Sequence, residues 1–223
     1  MSKPSIDPQA VPVESLAGEA ALAPERLSAE WLRMRFADPP QWEHEPGDER
    51  RVRRLTGAPI PAAVLMPIVQ RAHGLTLLLT QRTAHLHDHA GQVSLPGGRV
   101  DKTDASAIET ALRETEEEVG LHRRHIDVLG TLPDYFTGTG FRVTPVVALV
   151  QPPFELRADP FEVEEIFEVP LAFLMDGMNH QRRSVELPDQ AGRRTFYAMP
   201  YDRFFIWGAT AAMLRNLFHF LRA

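Results

Sequence analysis

The chain has 223 residues, 43% of them hydrophobic, which suits one globular domain with appended segments. It contains no cysteine, which excludes disulfides, thiolate zinc sites and cysteine nucleophiles, and its formal net charge of −6 argues against general binding to nucleic acid or anionic membranes. Because no apolar run approaches the roughly 20 residues of a membrane span and no signal-peptide pattern is present, a cytoplasmic location is expected.

The first 58 residues are predicted to be an extension of the main domain, which takes residues 59–223. Residues 1–24 are rich in Pro, Ala and Ser without periodicity, and this composition predicts a mobile arm. Residues 25–37 have apolar positions at helical spacing, which predicts a short helix. The polar stretch that follows, to residue 54, is typical of a linker.

The main domain is predicted to be an α/β sandwich of the α/β/α type around a mixed sheet. Alternating or continuous apolar runs predict strands at 62–69, 75–80, 126–132, 143–150 and 165–169, the last followed by a short helix. A hairpin is predicted from 184–187 and 195–199. Apolar spacing over 205–221 predicts a closing helix that packs on the sheet.

An acidic helix is predicted between two glycine-containing segments. The run Leu95-Pro96-Gly97-Gly98 precedes it, and glycines let the backbone pass close to a ligand. Ser106 with Glu109 three residues later is typical of a capping box, so the helix is expected to begin between Thr103 and Ser106. Gly120 is expected to end it. The residues predicted to face the core are Ile108, Leu112, Thr115 and Val119.

Three carboxylates share the other face of this helix. At about 100° per residue, Glu117 and Glu118 lie within roughly 60° of Glu114, on what is expected to be the solvent side, with Arg113 beside Glu117. Like charges at these spacings repel one another by roughly 0.2–0.5 kcal/mol per pair. A hard divalent cation with oxygen ligands would remove that repulsion. The competing interpretation is an ordinary solvated acidic face.

At this point the sequence resembles a known family. Residues 113–121, RETEEEVGL, resemble the second half of the Nudix box. The first half departs from the usual pattern, because Asp104 stands where a glutamate is expected six residues after Gly98, and the gap to Arg113 is one residue longer. The coenzyme A pyrophosphatase branch of the family has a similar lead-in.

The upstream segment resembles the same branch. Residues 78–83, LLTQRT, with the later Gly91 and Pro96-Gly97-Gly98, are similar to the coenzyme A pyrophosphatase signature. Three positions differ from it, namely Thr83, His87 and Leu95. The resemblance covers roughly residues 60–215. It implies a Nudix-type fold and a metal-dependent hydrolase that cleaves the pyrophosphate of coenzyme A or its derivatives to 3′,5′-ADP and a phosphopantetheine.

Two other functions stay open. One is the same chemistry on another nucleoside diphosphate derivative, such as ADP-ribose, NADH or an oxidised nucleotide. The other is a non-catalytic nucleotide sensor, which is less favoured because such sensors tend to lose metal carboxylates and all three are present here. A small-molecule nucleotide is the expected partner, without nucleic acid or membrane, and a homodimer is one candidate assembly.

The carboxylates suggest roles in catalysis. Mg²⁺ or Mn²⁺ would neutralise phosphate charge and supply a hydroxide-like water, with Glu114, Glu117 and Glu118 as the predicted ligands. Arg113 is interpreted as an organiser that pairs with a carboxylate or the loop. The general base is one of these glutamates or a later acid. Glu162 is preferred over Glu164 and Glu165, with plain surface charge as the alternative.

Substrate contacts are predicted on two sides. Arg82 is always charged, and His87 and His89 could contact phosphates from the same loop, together with Gly97 and Gly98. Since His85, His87 and His89 alternate, an H-x-H zinc site is the minor alternative. The other wall is predicted to contain Tyr135, Thr137 and Phe141, with an aromatic ring stacked on adenine; strand packing is the competing explanation for Phe141.

Overall fold

The described part of the chain forms two β-sheets and the helices packed on them. The computed structural model describes residues 7–45, 58–85, 90–186 and 193–223. The predicted α/β architecture is confirmed, and so are all five predicted strands of the main sheet and the short helix after the last of them. In the described residues no helix is both long and apolar enough to cross a membrane.

The larger sheet has eight strands within the described residues and is mixed. Its central path runs β4-β3-β2-β8-β6, with β5 on β2, β7 on β8 and β9 on β3. Among these described strands β2 and β8 run parallel, and the other pairs are antiparallel. The strands are β2 (Ile60–Arg71), β3 (Gly74–Arg82), β4 (Val93–Ser94), β5 (Gly97–Arg99), β6 (Ile126–Thr131), β7 (Tyr135–Phe136), β8 (Phe141–Val150) and β9 (Val163–Pro170).

A smaller antiparallel sheet was not predicted as a separate layer. Its order is β1-β10-β11-β12, with β1 at Val13–Leu16, β10 at Gln181–Glu186, β11 at Arg193–Tyr201 and β12 at Phe204–Trp207. The predicted hairpin is therefore confirmed as β10 and β11, while its turn lies outside the described residues. The described α-helices are α1 (Ala29–Ala37), α2 (Ala107–Val119), α3 (Leu171–Leu174) and α4 (Gly208–Arg222).

Helices cover the larger sheet on both faces because its central strands are apolar on both. Successive side chains of a strand point to opposite faces. On β2, Ala63 and Leu65 pack with Ala111 and Leu112 of α2. The alternate positions, such as Met66, belong to the core that includes most of the buried side chains of α4. The acidic helix thus lies on one face of the larger sheet, while the closing helix contacts β11 and β12 and contributes side chains to the core on the other face.

The mobile-arm prediction is wrong for residues 7–24. Strand β1 pairs with β10 from Val13 to Leu16, and Leu22 is buried in the main core. All four residues of β1 are exposed, so its side chains carry no alternation that sequence reasoning could detect. The helix predicted at 25–37 begins at Ala29 after a 3₁₀ turn, with Ser28 as its N-cap. Residues 46–57, which include the second half of the predicted linker, lie outside the described part.

The closing helix was predicted to begin three residues too early. Residues 205–207 belong to β12, where Phe204 and Ile206 are buried and Phe205 and Trp207 are partly exposed. This alternation is that of a strand. Gly208, with φ of 62°, then changes the chain direction and α4 begins. The spacing of Ile206 with the later apolar residues fits a helix, and spacing alone does not show that Ile206 lies in a strand that precedes it.

A buried charged network joins the extension to α4. The guanidinium of Arg215 is 5% exposed; it donates to Glu19 Oε2 at 2.9 Å and to Glu45 Oε1 at 3.3 Å. Tyr197 also donates to Glu45, at 3.1 Å. Glu19 and Glu45 come from the extension and Tyr197 from β11. Because buried charges require partners, these contacts tie the extension to the domain.

His180, in the same network, predicts an acid-dependent loss of stability. Its Nδ1 accepts from Arg215 at 3.1 Å and its Nε2 donates to the carbonyl of Leu174 at 2.8 Å, so the ring is neutral. Burial, together with a smaller effect of the charge of Arg215, lowers the pKa of His180 from 6.5 to about 4. Between these pH values the unfolded chain binds a proton that the folded chain does not, so the free energy of unfolding falls as the pH falls.

The expected loss from this one group is about 3 kcal/mol between pH 6.5 and pH 4, at about 1.4 kcal/mol per pKa unit. Urea unfolding across this range measures it. His180→Gln keeps a donor and an acceptor but cannot titrate, so its stability should fall less steeply than that of the parent. Parallel curves for the two proteins would contradict the assignment.

Candidate active site

The acidic helix has the predicted ends. Helix α2 begins at Ala107 after Ser106, whose hydroxyl accepts from the backbone N–H of Glu109 at 3.2 Å. The carboxylate of Glu109 pairs with Arg123, so only the serine half of the predicted capping box is recorded. Gly120 caps the end with φ of 69°, as predicted. The two ends of the helix therefore fix the positions of Glu114, Glu117 and Glu118 along it.

Glu118 is the most buried of the three acidic side chains. It is 5% exposed, which contradicts the expectation that this face of the helix is on the solvent side. Its Oε2 accepts from the backbone N–H of Gly97 at 3.1 Å, and its Oε1 lies 3.9 Å from Nη1 of Arg82. Burial raises its pKa to about 8, and the charges of Glu162 and Glu114 add to the effect.

Glu114 lies against the glycine loop. A β-carbon added at Gly98 would stand 2.4–2.6 Å from the carboxylate atoms of Glu114, so only a glycine leaves room for them. Burial raises the pKa of Glu114, and the charges of Glu117 and Glu162 act in the same direction. Strand β5, which contains both glycines, pairs with β2. The glycine loop and the acidic helix are therefore closely packed against each other.

Arg113 organises this end of the helix. Its Nη1 contacts Glu114 Oε1 at 2.9 Å and Glu117 Oε2 at 3.0 Å. Its Nε and Nη2 donate to the two oxygens of Asp104 at 3.0 and 2.9 Å, and Nη2 also donates to the carbonyl of Arg99. The bidentate pair lowers the pKa of Asp104 well below its ordinary value. Asp104 has a shorter side chain than the glutamate of the usual pattern, and it anchors the loop that precedes the helix.

The donor set fits a hard divalent cation. Glu118 is buried and Glu114 is partly buried; their charges repel each other and that of Glu162, and each has a raised pKa. Oxygen donors that lack enough positive charge nearby are what Mg²⁺ and Mn²⁺ complement. Among the described side chains no three His, Asp or Glu converge in metal-ligating geometry. Arg113 holds Glu114 and Glu117 in ion pairs, so a ligand set requires rotation away from it.

Glu162 lies beside the acidic helix, on the loop before β9. The backbone N–H of Asp159 donates to the carbonyl of Glu118 at 2.8 Å, and that of Glu162 donates to the carbonyl of Asp159 at 3.2 Å. Glu162 is exposed and its charge reaches both Glu114 and Glu118. By contrast, Glu165 forms an ion pair with Arg203. The structure thus brings Glu162, of the three candidate bases, next to the carboxylates.

The side predicted to contact phosphates is described only in part. Arg82 ends β3, and its buried Nε has no hydrogen-bond partner among the described residues. His87 and His89 lie outside the described residues, so neither the phosphate contacts nor the H-x-H zinc alternative can be placed. His85 is 3.5 Å from the hydroxyl of Thr83 through Nε2.

The residues predicted to form the second wall of the substrate site make hydrogen bonds and packing contacts with other residues of the chain. Thr137 accepts from the backbone N–H of Phe141 at 3.0 Å and shares a hydrogen bond with Thr139 at 2.9 Å. Phe141 packs against the main core and has the guanidinium of Arg99 over its ring at 5.3 Å. Tyr135 also packs against the core from β7. These contacts favour the packing explanation for Phe141.

Comparisons with known proteins agree on one family. A family profile described as NUDIX domain matches residues 59–187. A protein of Escherichia coli (strain K12) named Nudix hydrolase NudL is 45% identical over 157 residues, which cover 70% of this chain and 80% of the relative. The protein of that name from Salmonella newport is 42% identical over 179 residues, or 80% and 86% of the two chains. The crystal structure of a Nudix hydrolase from M. smegmatis, RenU, has 24% identity and a TM-score of 0.44 over 51% of this chain and 72% of the other.

Proposed function

The chain belongs to the Nudix hydrolase family, whose enzymes act on pyrophosphate bonds, and we propose that it hydrolyses the pyrophosphate linkage of coenzyme A or its derivatives. The products would be 3′,5′-ADP and the corresponding phosphopantetheine. One observation supports this choice most directly. Arg82, in the segment that resembles the coenzyme A pyrophosphatase signature, stands 3.9 Å from Glu118 of the acidic helix. The two motifs therefore meet at one place.

The proposed roles follow from the contacts. Glu114, Glu117 and Glu118 would hold Mg²⁺ or Mn²⁺, which when bound offsets phosphate charge and lowers the pKa of a water molecule. Glu162 is exposed beside them and would accept the proton of the attacking water. Arg113 acts as an organiser, because its hydrogen bonds to Asp104 and to the carbonyl of Arg99 keep the lead-in loop in place.

The substrate contacts are proposed from the same arrangement. Arg82 offers a permanent positive charge at the end of β3, and the buried state of its Nε favours a fixed side chain. Because Gly98 has no side chain, the carboxylate of Glu114 fits against it, and the backbone of Gly97 likewise passes close to that of Ala63 and Val64. His87 and His89 would complete the phosphate contacts, and Tyr135 and Thr137 would form the opposite wall, while Phe141 packs against the core.

A substrate panel tests the function. Coenzyme A, ADP-ribose, NADH and dinucleoside polyphosphates are each incubated with Mg²⁺ or Mn²⁺, and the products are identified by mass. Release of 3′,5′-ADP from coenzyme A at the highest kcat/KM is the expected result. Faster hydrolysis of ADP-ribose or NADH would favour the alternative nucleoside diphosphate substrates. If no compound is hydrolysed, the non-catalytic nucleotide sensor is the function that remains.

The 3′-phosphate is expected to determine specificity. If Arg82 contacts it, dephospho-coenzyme A should be a poorer substrate than coenzyme A by about ten- to a hundredfold in kcat/KM, since a charge-assisted hydrogen bond contributes roughly 1.5–3 kcal/mol. Arg82→Lys should reduce the ratio of kcat/KM between coenzyme A and dephospho-coenzyme A, because the lysine ammonium lacks the planar, two-pronged hydrogen-bonding geometry of guanidinium. Equal rates on the two compounds in the parent would mean that the 3′-phosphate is not recognised.

A further inference from the structure

Phe161 is an aromatic side chain held in solvent next to the acidic helix. It is 74% exposed, the most exposed of the large hydrophobic residues in the described part of the chain, and the one aromatic among them. Single exposed apolar residues are common and need no explanation. The position of this one is what matters, since it directly precedes Glu162, whose charge reaches Glu114 and Glu118.

The loop that carries Phe161 is fixed by hydrogen bonds on both sides. Its backbone N–H donates to Oδ1 of Asp159 at 2.8 Å, and its carbonyl accepts from the hydroxyl of Thr83 at 3.0 Å. The backbone N–H of Thr83 in turn donates to the carbonyl of Glu162 at 3.0 Å, and that of Asp159 to the carbonyl of Glu118. The loop is thereby joined to the end of β3 and to α2. An exposed phenyl group on an anchored backbone is a prepared contact surface, because little freedom remains to be lost on binding.

The other aromatic candidates are already in contact with protein. Phe141 packs on the core beneath Arg99, and Tyr135 packs on the same core. A planar nucleobase can stack only on a ring with an accessible face. Phe161 offers that surface beside the carboxylates.

We propose that Phe161 is the stacking platform for the planar heteroaromatic base of the nucleotide substrate. This proposal rests on the proposed function and adds a residue that determines specificity for nucleotides over other diphosphates. The base would lie on the phenyl ring, while the pyrophosphate reaches Glu162 and the acidic helix.

Competitive inhibition separates base recognition from phosphate recognition. With coenzyme A as substrate, Phe161→Ala should raise the Ki of adenosine 3′,5′-bisphosphate about tenfold, because stacking of a base on an aromatic side chain is lost, and leave that of inorganic pyrophosphate within about twofold. Phe161→Tyr should restore the parent value, since the ring is retained. Met178→Ala, at an exposed apolar residue far along the chain, should change neither constant. An unchanged Ki for adenosine 3′,5′-bisphosphate in Phe161→Ala would overturn the proposal.

A direct binding measurement keeps this test independent of turnover. In Phe161→Trp, adenosine 3′,5′-bisphosphate should quench the fluorescence of the added indole, and pyrophosphate should not. Met178→Trp should show no quenching with either. If the parent hydrolyses no compound of the panel but the indole is quenched, the proposed function fails and the base site stands. Hydrolysis of coenzyme A without quenching would refute the base site alone.

Discussion

Glu118→Gln is expected to lower kcat for pyrophosphate hydrolysis by at least ~100-fold, because an amide is a poorer ligand than a carboxylate and has no charge to offset a cation. The position of Glu118 makes it difficult for a neighbouring carboxylate to replace it as a metal ligand in the variant. Its carboxylate is nearly buried and receives the backbone N–H of Gly97, whereas Glu117 is largely exposed and paired with Arg113. Steady-state kinetics with Mg²⁺, with and without a chelator, measure the effect, and chelation should abolish turnover in the parent.

The same variant should fold well. Since burial raises the pKa of Glu118 to about 8, the metal-free protein holds this acid in an environment that disfavours its charge, and a neutral amide removes that penalty. The melting temperature of metal-free Glu118→Gln should therefore equal or exceed that of the parent. Glu116→Gln, on the exposed side of the same helix, is the matched control and should keep kcat within about twofold. Turnover that survives chelation would remove the metal-dependent mechanism.

Local patterns predicted much of the fold because they are short-range. The ends of α2 follow from Ser106 and Gly120, each acting within one helical turn. The central strands were found from apolar runs that match burial on both faces of the sheet. The resemblance of residues 113–121 to the Nudix box likewise indicated the family that the comparisons show.

The remainder depends on contacts between distant residues. The ion pair of Arg215 with Glu19 spans 196 positions, and neither residue carries a local signal. Strand β1 is held through its backbone and exposes every side chain, so its sequence resembles that of a loop. The burial of Glu118 arises because the Gly97 loop folds back over the helix, which helical periodicity cannot show. The closeness of Glu162 to the helix depends on the loop at Asp159 in the same way.

Two adjacent glycines should respond differently to the same substitution. At Gly97 an added β-carbon would stand 2.4 Å from the carbonyl oxygen of Ala63 and 2.5 Å from the Cα of Val64, and φ is 151°, a conformation that side-chain-bearing residues rarely adopt. Backbone atoms of a central strand cannot move aside. Gly97→Ala is therefore expected to destabilise the fold by about 3 kcal/mol or more, measured by urea unfolding, and to reduce the yield of folded protein.

Gly98→Ala is expected to spare the fold and to impair catalysis. Here the added β-carbon would meet the carboxylate of Glu114, which is the far end of a flexible side chain and can rotate away. The melting temperature should stay close to that of the parent, while kcat falls by about ten- to a hundredfold, because a displacement of about 1 Å in a catalytic group has effects of that size. Gly74→Ala offers a comparison, since nothing lies within 4 Å of a β-carbon there although φ is 124°. This variant should lose stability through backbone strain without loss of kcat.

If Gly98→Ala keeps the parent kcat, the close fit between this loop and Glu114 does not position the carboxylate. If it unfolds the protein as Gly97→Ala is expected to, Glu114 has no room to move, and the loop and the acidic helix form one rigid unit.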